Sequence, residues 1–406
     1  MTDRLYYDAP YSREFDASVV RVEPRDVDDP QRERHAVWLD RTAFYPTTGG
    51  QPFDTGTLGA SRVVDVIDDD SGDVVHILEG ASPPHVGESV HGVIDWRRRF
   101  DHMQQHTGQH VLSAAFVRLF GAKTVSFHLG ADVSTIDVSR ELTPADIAAA
   151  EDEANRIVWE DRPVTIRYAS AEEAVALPLR KEPKRPGTLR LIDIDAFDLS
   201  ACGGTHVSRT GAIGAIAVAA WERFKGGQRL EFLCGGRVLT RFRLLRDVTA
   251  SNVRLLSVLP VDVPNAIERL QTDVKDQKRA LAGFQADLAR YQAREFADAA
   301  APYPGGRLVA RVVDADAVAL KALASAVTSS PGFFAILVSQ SSPALVVAAR
   351  SADVTLSCHE LVTALTKQFG GRGGGKPDLA QGGGLSGPAE EILAEARRLI
   401  VDAGST

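Results

Sequence analysis

Two short motifs far apart in the chain constrain it most: His106-Thr-Gly-Gln-His110 and Cys202-Gly-Gly-Thr-His206. Each sets two metal-capable side chains four residues apart, and three imidazoles with one thiolate make a zinc-type ligand field. Met103, Val111, Leu112, Ala115 and Leu119 recur at helical spacing around the first pair, so His106 and His110 are expected on one face of a helix. The second pair follows an apolar/acidic alternation and encloses Gly203-Gly204, which suits a tight turn that bends Cys202 and His206 inward. A fold that joins the two halves makes one zinc site of His106, His110, Cys202 and His206. Thr107 stands where an HExxH zinc protease carries its glutamate base, so that chemistry is excluded.

The 406 residues, 44% of them hydrophobic, suffice for two or three domains with their own cores. Cys202, Cys234 and Cys358 are too few and too scattered for a disulfide framework, which fits a reducing compartment. The N-terminus lacks a basic-then-apolar signal pattern, and no run of about 18 apolar residues occurs. A cytoplasmic protein with no membrane span is therefore expected. A net charge of -8 argues against a surface that coats nucleic acid broadly. Local basic strips remain: Arg97-Arg98-Arg99 precedes the His106 helix, and Arg180, Lys181, Lys184, Arg185 and Arg190 face only Glu182. On both flanks of the metal motifs, they favour a polyanionic substrate.

The chain reads as an α+β protein in four parts. Residues 1–95 carry short β-branched runs (36–39, 63–67, 74–78) broken by Gly, Asp and Ser, the pattern of a small β-barrel or sandwich. Residues 96–240 turn to α/β: the His106 helix, a second helix opened by Thr143 and Pro144, then strands near 164–168, 189–193, 213–218 and 229–233. In residues 241–300, Ile267, Leu270, Val274, Gln277, Leu281, Phe284, Leu288 and Tyr291 step by three and four, a heptad seam with one polar break. That seam suits either a two-helix hairpin with residues 240–257 or an intermolecular coiled coil. Residues 301–406 read as a separate α/β domain with strands at 308–313, 333–338 and 344–348 and helices between. Its glycine-rich stretch 370–384 lets backbone amides near Arg372 and Lys376 approach an anion, without the spacing of a P-loop.

The paired HTGQH and CGGTH motifs resemble the editing domain of alanyl-tRNA synthetase and its free-standing relatives, the AlaX-type alanyl-tRNA editing proteins. Phe44-Tyr-Pro-Thr-Thr-Gly-Gly-Gln-Pro-Phe-Asp-Thr-Gly56 is similar to the family's N-terminal glycine-rich motif, and 370–384 resembles the C-terminal domain of the same synthetases. With the β pattern starting almost at Met1, a long, free-standing form is expected. The resemblance implies a β-barrel, a zinc-containing editing domain, a helical linker and a glycine-rich C-terminal domain. It implies hydrolysis of mischarged Ser-tRNA(Ala), with Gly-tRNA(Ala) as a second substrate, and Zn2+ held by His106, His110, Cys202 and His206. Gln109 departs from the Thr usual in synthetase editing domains.

Thr47, Thr48, Gly49, Gly50 and Gln51 fall on the motif similar to the substrate-pocket wall, where a hydroxyl would select serine over alanine. His128 is the nearest spare imidazole and a candidate proton acceptor. Four protein ligands would close a catalytic zinc, so either His206 gives way to water or the ion only orients the terminal ribose. The basic residues Arg97, Arg98, Arg99, Arg180, Lys181, Lys184, Arg185, Arg372 and Lys376 are the candidate tRNA contacts, and residues 241–406 a candidate homodimer interface. The rival readings are a non-catalytic tRNA-binding protein with a structural zinc and a phosphoesterase. The second lacks any Asp-His-His or carboxylate-rich two-metal cluster.

Overall fold

A computed structural model describes residues 1–25, 33–69, 71–80, 82–181 and 187–404. Lys184 and Arg185 lie outside the described residues. The chain divides into two units, Met1–Ser251 and Asn252–Thr406.

The first unit opens with β1 (Asp3–Arg4), β2 (Glu14–Arg25), β3 (Arg34–Leu39), β4 (Arg41–Thr42), β5 (Gly56–Leu58), β6 (Ser61–Asp68), β7 (Val74–Glu79) and β8 (Ser89–Ile94). Strands β2, β3, β7, β6, β5 and β8 close a barrel in that order, every pair antiparallel. Alternation fills it: Phe15, Ala17 and Val19 of β2 point inward beside Val37, Leu39, Val63, Val66, Leu78 and Val90. Of the barrel or sandwich that the β-branched runs allow, the closed barrel is what forms.

Asp95 caps α1 (Trp96–Phe120), its carboxylate accepting from the Arg98 amide, and Gly121 ends the helix in the left-handed region. The helix is buried almost all round from His102 to Phe116, as befits an element at the centre of a core rather than over it. Leu119, expected on the apolar face, is exposed. Gly108 shows why the helix tolerates a glycine at mid-length: a Cβ there would overlap Cys234 Sγ, so α1 lies unusually close to its neighbouring strand.

Next come β9 (Thr124–Leu129), β10 (Ser134–Val138), α2 (Pro144–Trp159), β11 (Val164–Ala169), α3 (Ala171–Val175), β12 (Leu189–Ile194), β13 (Asp198–Ala201), β14 (Ile216–Phe224), β15 (Gly227–Cys234) and α4 (Gly236–Leu256). Thr143 and Asp146 form a full capping box at α2. Two antiparallel sheets, β14-β15-β10-β9 and β11-β12-β13, flank α1 and α2 through one continuous core.

The second unit holds α5 (Val263–Asp298), β16 (Ala301–Tyr303), β17 (Gly306–Val313), α6 (Ala317–Val327), β18 (Phe333–Ser339), β19 (Ala344–Arg350), α7 (Cys358–Phe369), β20 (Arg372–Gly375), β21 (Leu379–Leu385) and α8 (Ala389–Gly404). One six-stranded sheet, β16-β17-β18-β19-β21-β20, is antiparallel except where α6 crosses over to make β17 and β18 parallel. One expectation needs correction: no helix joins β18 to β19, which pair directly as antiparallel neighbours. The glycine-rich stretch forms the pair β20–β21 at the sheet edge, where Gly373 and Gly382 face each other and a Cβ at either would crowd Val362. Among the described residues no helix is long and apolar enough to cross a membrane.

Candidate metal centre

Helix α1 presents His106 and His110 one turn apart, with ring centroids 5.4 Å apart. The loop leaving β13 returns to them with Cys202 and His206. One donor atom from each of the four side chains lies within 4.8 Å of the other three. Cys202 Sγ is 3.3 Å from Nε2 of His106 and 3.3 Å from Nε2 of His206. A tetrahedral ion with bonds of about 2.0–2.3 Å needs donors roughly 3.3–3.7 Å apart. The set fits a metal of that kind with little rearrangement.

The loop can lie so close because of Gly204: a Cβ there would overlap the His106 ring, whereas one at Gly203 would meet nothing nearer than Tyr7 at 3.8 Å. Arg190 holds the loop in place, donating to the carbonyls of Cys202 (2.7 Å), Gly204 (3.0 Å) and Tyr7 (3.0 Å).

Each histidine turns Nδ1 away from the cluster to an outer partner. His106 Nδ1 meets Oε1 of the fully buried Gln51 at 2.8 Å. The same oxygen accepts from the Thr205 amide at 3.1 Å, while Nε2 of Gln51 donates to the Thr205 hydroxyl at 2.9 Å. The Gln51 amide oxygen is an acceptor, so Nδ1 of His106 donates to it, and Nε2 is the nitrogen that faces the sulfur. His206 Nδ1 meets the Thr107 hydroxyl at 3.2 Å, and that oxygen also accepts from the Val207 amide. His110 Nδ1 faces the Asp198 carboxylate at 3.3 Å.

Burial, helped by the nearby His106, pushes His206 down to about 3, so its imidazole is neutral. Burial alone would raise the Cys202 thiol, but His106 and His206 beside it outweigh that and hold it well below its ordinary value. A neutral His206 and a depressed Cys202 suit a metal, which binds imidazole nitrogen and thiolate, whereas at His110 burial is outweighed by Asp198 and Cys202, which raise it.

The expected residues of the 44–56 loop have partners of their own. The Gln51 amide is spent on His106 and Thr205. The Thr47 hydroxyl accepts from the Phe53 amide, which is turn chemistry. Thr48 and Gln51 pair across Gly49-Gly50, which take φ of +55° and +85°, a two-residue turn that favours glycine. A Cβ at Gly50 would strike Phe127, whose ring also lies 5.8 Å from that of His106.

His128 follows Phe127 on β9 and so points to the opposite face, into solvent; it is not placed to serve this site. Arg99 is a correction of another kind: it is fully buried, paired with Asp54 and bonded to the carbonyls of Pro10 and Ala43, so no phosphate can reach it. Arg98 donates to the Phe53 carbonyl and covers its ring. Arg180 is tied to Asp198. Arg97, Lys181, Arg372 and Lys376 are exposed.

Sequence reasoning placed Arg190 in a basic strip and Thr107 only as the residue that excludes a zinc protease, and gave neither of them, nor Thr205 or Asp198, a role beside the four donors. Asp198 was within reach, since it is the last of three aspartates (Asp193, Asp195, Asp198) in the alternation leading to Cys202.

Against known families, the model described as tRNA synthetases class II (A) matches residues 2–98. That of the threonyl and alanyl tRNA synthetase second additional domain matches 189–231, and the DHHA1 domain 305–402. The alanyl-tRNA editing protein AlaX-L of Pyrococcus horikoshii is 32% identical over 394 residues, 94% of either chain. The alanine–tRNA ligases of Pyrococcus abyssi (31%) and Methanoculleus marisnigri (34%) align with 94% and 99% of this chain. The chain spans only 42% and 44% of those ligases. Among solved structures, the C-Ala domain from Aquifex aeolicus alanyl-tRNA synthetase covers 26% of this chain at 23% identity and a TM-score of 0.24, too loose a likeness to add to the fold. Similarity to the editing protein along nearly the full length of both, with the two metal-capable motifs brought together, means that this chain belongs to the alanyl-tRNA editing protein family in its long, AlaX-L form.

Proposed function

We propose that this protein is a hydrolase that removes serine, and in second place glycine, from mischarged tRNA(Ala), using Zn2+ held by His106, His110, Cys202 and His206. The observation that carries the reading is the buried three-histidine, one-cysteine cluster, walled by the barrel loop that resembles the family's substrate motif. Zinc bound there supplies Lewis acidity and an acidified water, or a fixed anchor for the terminal ribose. Gln51 and Thr107 keep the Nε2 atoms of His106 and His206 turned inward. Phe127 and Gly50 close the apolar side of the site. The Thr48 hydroxyl, without a hydrogen bond among the described residues, is the group we assign to the serine hydroxyl; a site built to pair that hydroxyl discriminates strongly against alanine.

The exposed Arg97, Lys181, Arg372 and Lys376, together with Lys184 and Arg185, are the proposed phosphate contacts. A homodimer through residues 241–406 is part of the same proposal, supported by the α5 seam from Ile267 to Tyr291, whose apolar residues are 41% to 72% exposed.

The test is deacylation of Ser-tRNA(Ala) beside Ala-tRNA(Ala), with the intact chain and Cys202→Ala. Selective serine release that the substitution abolishes supports the reading. Tight tRNA binding with both esters left intact would replace it with a carrier whose metal is structural.

A further inference from the structure

The outer partners of the three histidines are unequal. Gln51 and Thr107 are neutral, whereas His110 faces a carboxylate. The side chains of His110 and Asp198 are 5% and 1% exposed. Nδ1 of His110 is buried without a well-aligned hydrogen bond, and Oδ2 of Asp198, 3.3 Å away, is the acceptor it faces. A buried carboxylate is costly unless paired and hydrogen-bonded, and this one is held from behind. Arg180 donates through Nε to Oδ1 at 2.7 Å and through Nη2 to Oδ2 at 3.4 Å, and the Ser200 hydroxyl donates to Oδ2 at 2.8 Å. The Arg180 guanidinium is itself 14% exposed. Ser200 and Asp198 lie on β13, the strand that delivers Cys202 two residues later. The carboxylate and the thiolate are thus placed by one strand, and each faces an imidazole of α1.

We infer that Asp198 is a positioning residue of the metal centre: its carboxylate accepts from Nδ1–H of His110, turns Nε2 towards the ion, and is kept in place by Arg180 and Ser200. Arg180 then belongs to the metal site and not to the tRNA surface. The inference rests on the metal reading of the four-residue cluster and is independent of which ester is cleaved. Acidic partners of metal-bound imidazole orient the ring and raise its basicity, and their loss weakens metal binding by about 10- to 100-fold.

The experiment is zinc affinity of the intact chain by competition with a chromogenic chelator, for wild type, Asp198→Ala, Asp198→Glu and Arg180→Met. Urea unfolding of each metal-free protein and the visible bands of the cobalt-loaded forms accompany it. Asp198→Ala is expected to bind zinc about 10- to 100-fold more weakly and to shift the cobalt bands, Asp198→Glu to recover part of the affinity, and Arg180→Met to lose less than Asp198→Ala. Unchanged affinity and bands in Asp198→Ala would overturn the inference and leave Asp198 a packing partner of Arg180. If Asp198→Ala does not fold, Arg180→Met decides: wild-type affinity there refutes the inference. A wild-type chain that binds no zinc would instead sink the metal reading beneath it.

Discussion

Replacing Arg99 with Met offers a sharp test of how the barrel is joined to the metal helix. Arg99 enters the barrel from the first turn of α1 and is fully buried, as is Asp54. Its Nε lies 3.1 and 3.0 Å from the two Asp54 oxygens, Nη1 donates to the Pro10 carbonyl at 2.9 Å, and Nη2 bonds Asp54 and the Ala43 carbonyl. Asp54 also accepts from the Tyr45 amide at 2.6 Å. Methionine fills much of the same space but leaves that carboxylate alone in the interior, a loss of about 3–5 kcal/mol. With a urea slope of about 2–3 kcal/mol/M, the unfolding midpoint should fall by roughly 1 to 2.5 M.

All four tryptophans, Trp38, Trp96, Trp159 and Trp221, lie in the first unit, so their fluorescence follows that unit alone. Because Asp54 lies three residues from Gln51, loosening the loop should also weaken zinc retention. Melts with and without chelator separate that effect from loss of the ion pair. The exposed neighbour Arg97→Met should stay within about 0.5 kcal/mol of wild type. An Arg99→Met midpoint equal to that of wild type, or an equal loss in Arg97→Met, would refute the reasoning.

Other outcomes follow from the same structure. Gly204→Ala pushes a methyl into the His106 ring and should lower zinc content and stability by about 1–3 kcal/mol, while Gly203→Ala, with open space, should leave both near wild type; equal effects would show that the loop does not press on the ring. His76 in the barrel accepts from the Thr42 hydroxyl at 2.7 Å and donates to the Val37 carbonyl at 3.1 Å. Burial lowers it to about 4 from an ordinary 6.5. A depressed imidazole means the unfolded chain takes the proton first, so its contribution is complete above pH 6.5 and fades as pH falls towards 4. About 2.5 kcal/mol should vanish between pH 7 and 4.5, and His76→Gln should flatten the fluorescence-monitored pH dependence by that amount. Unchanged pH dependence in the variant counts against it. Paired Leu270→Glu and Phe284→Glu on α5 should convert a dimer to monomer in sedimentation while zinc content stays the same; a wild-type chain that sediments as a monomer removes the dimer proposal.

What the amino-acid order determined by itself is what repeats locally. Short β-branched runs broken by turn residues marked the barrel, three-and-four spacing marked α1 and α5, and two motifs of distinctive residue types named the four side chains of the metal-capable cluster. What the tertiary structure decided is which polar side chains those donors meet. Gln51 is 55 residues from His106 and 154 from Thr205, and Thr107 is 99 from His206. No periodicity links such positions; they become partners only when barrel, helix and loop close on one another and burial forces each polar atom to find a mate. The same closure turned the basic Arg99 inward to Asp54, and strand alternation on β9, once its register was set, turned His128 away. Residue chemistry told what could bind a metal. Burial decided which polar groups surround those donors, because a charge or a ring nitrogen taken from water must be satisfied where the chain leaves it.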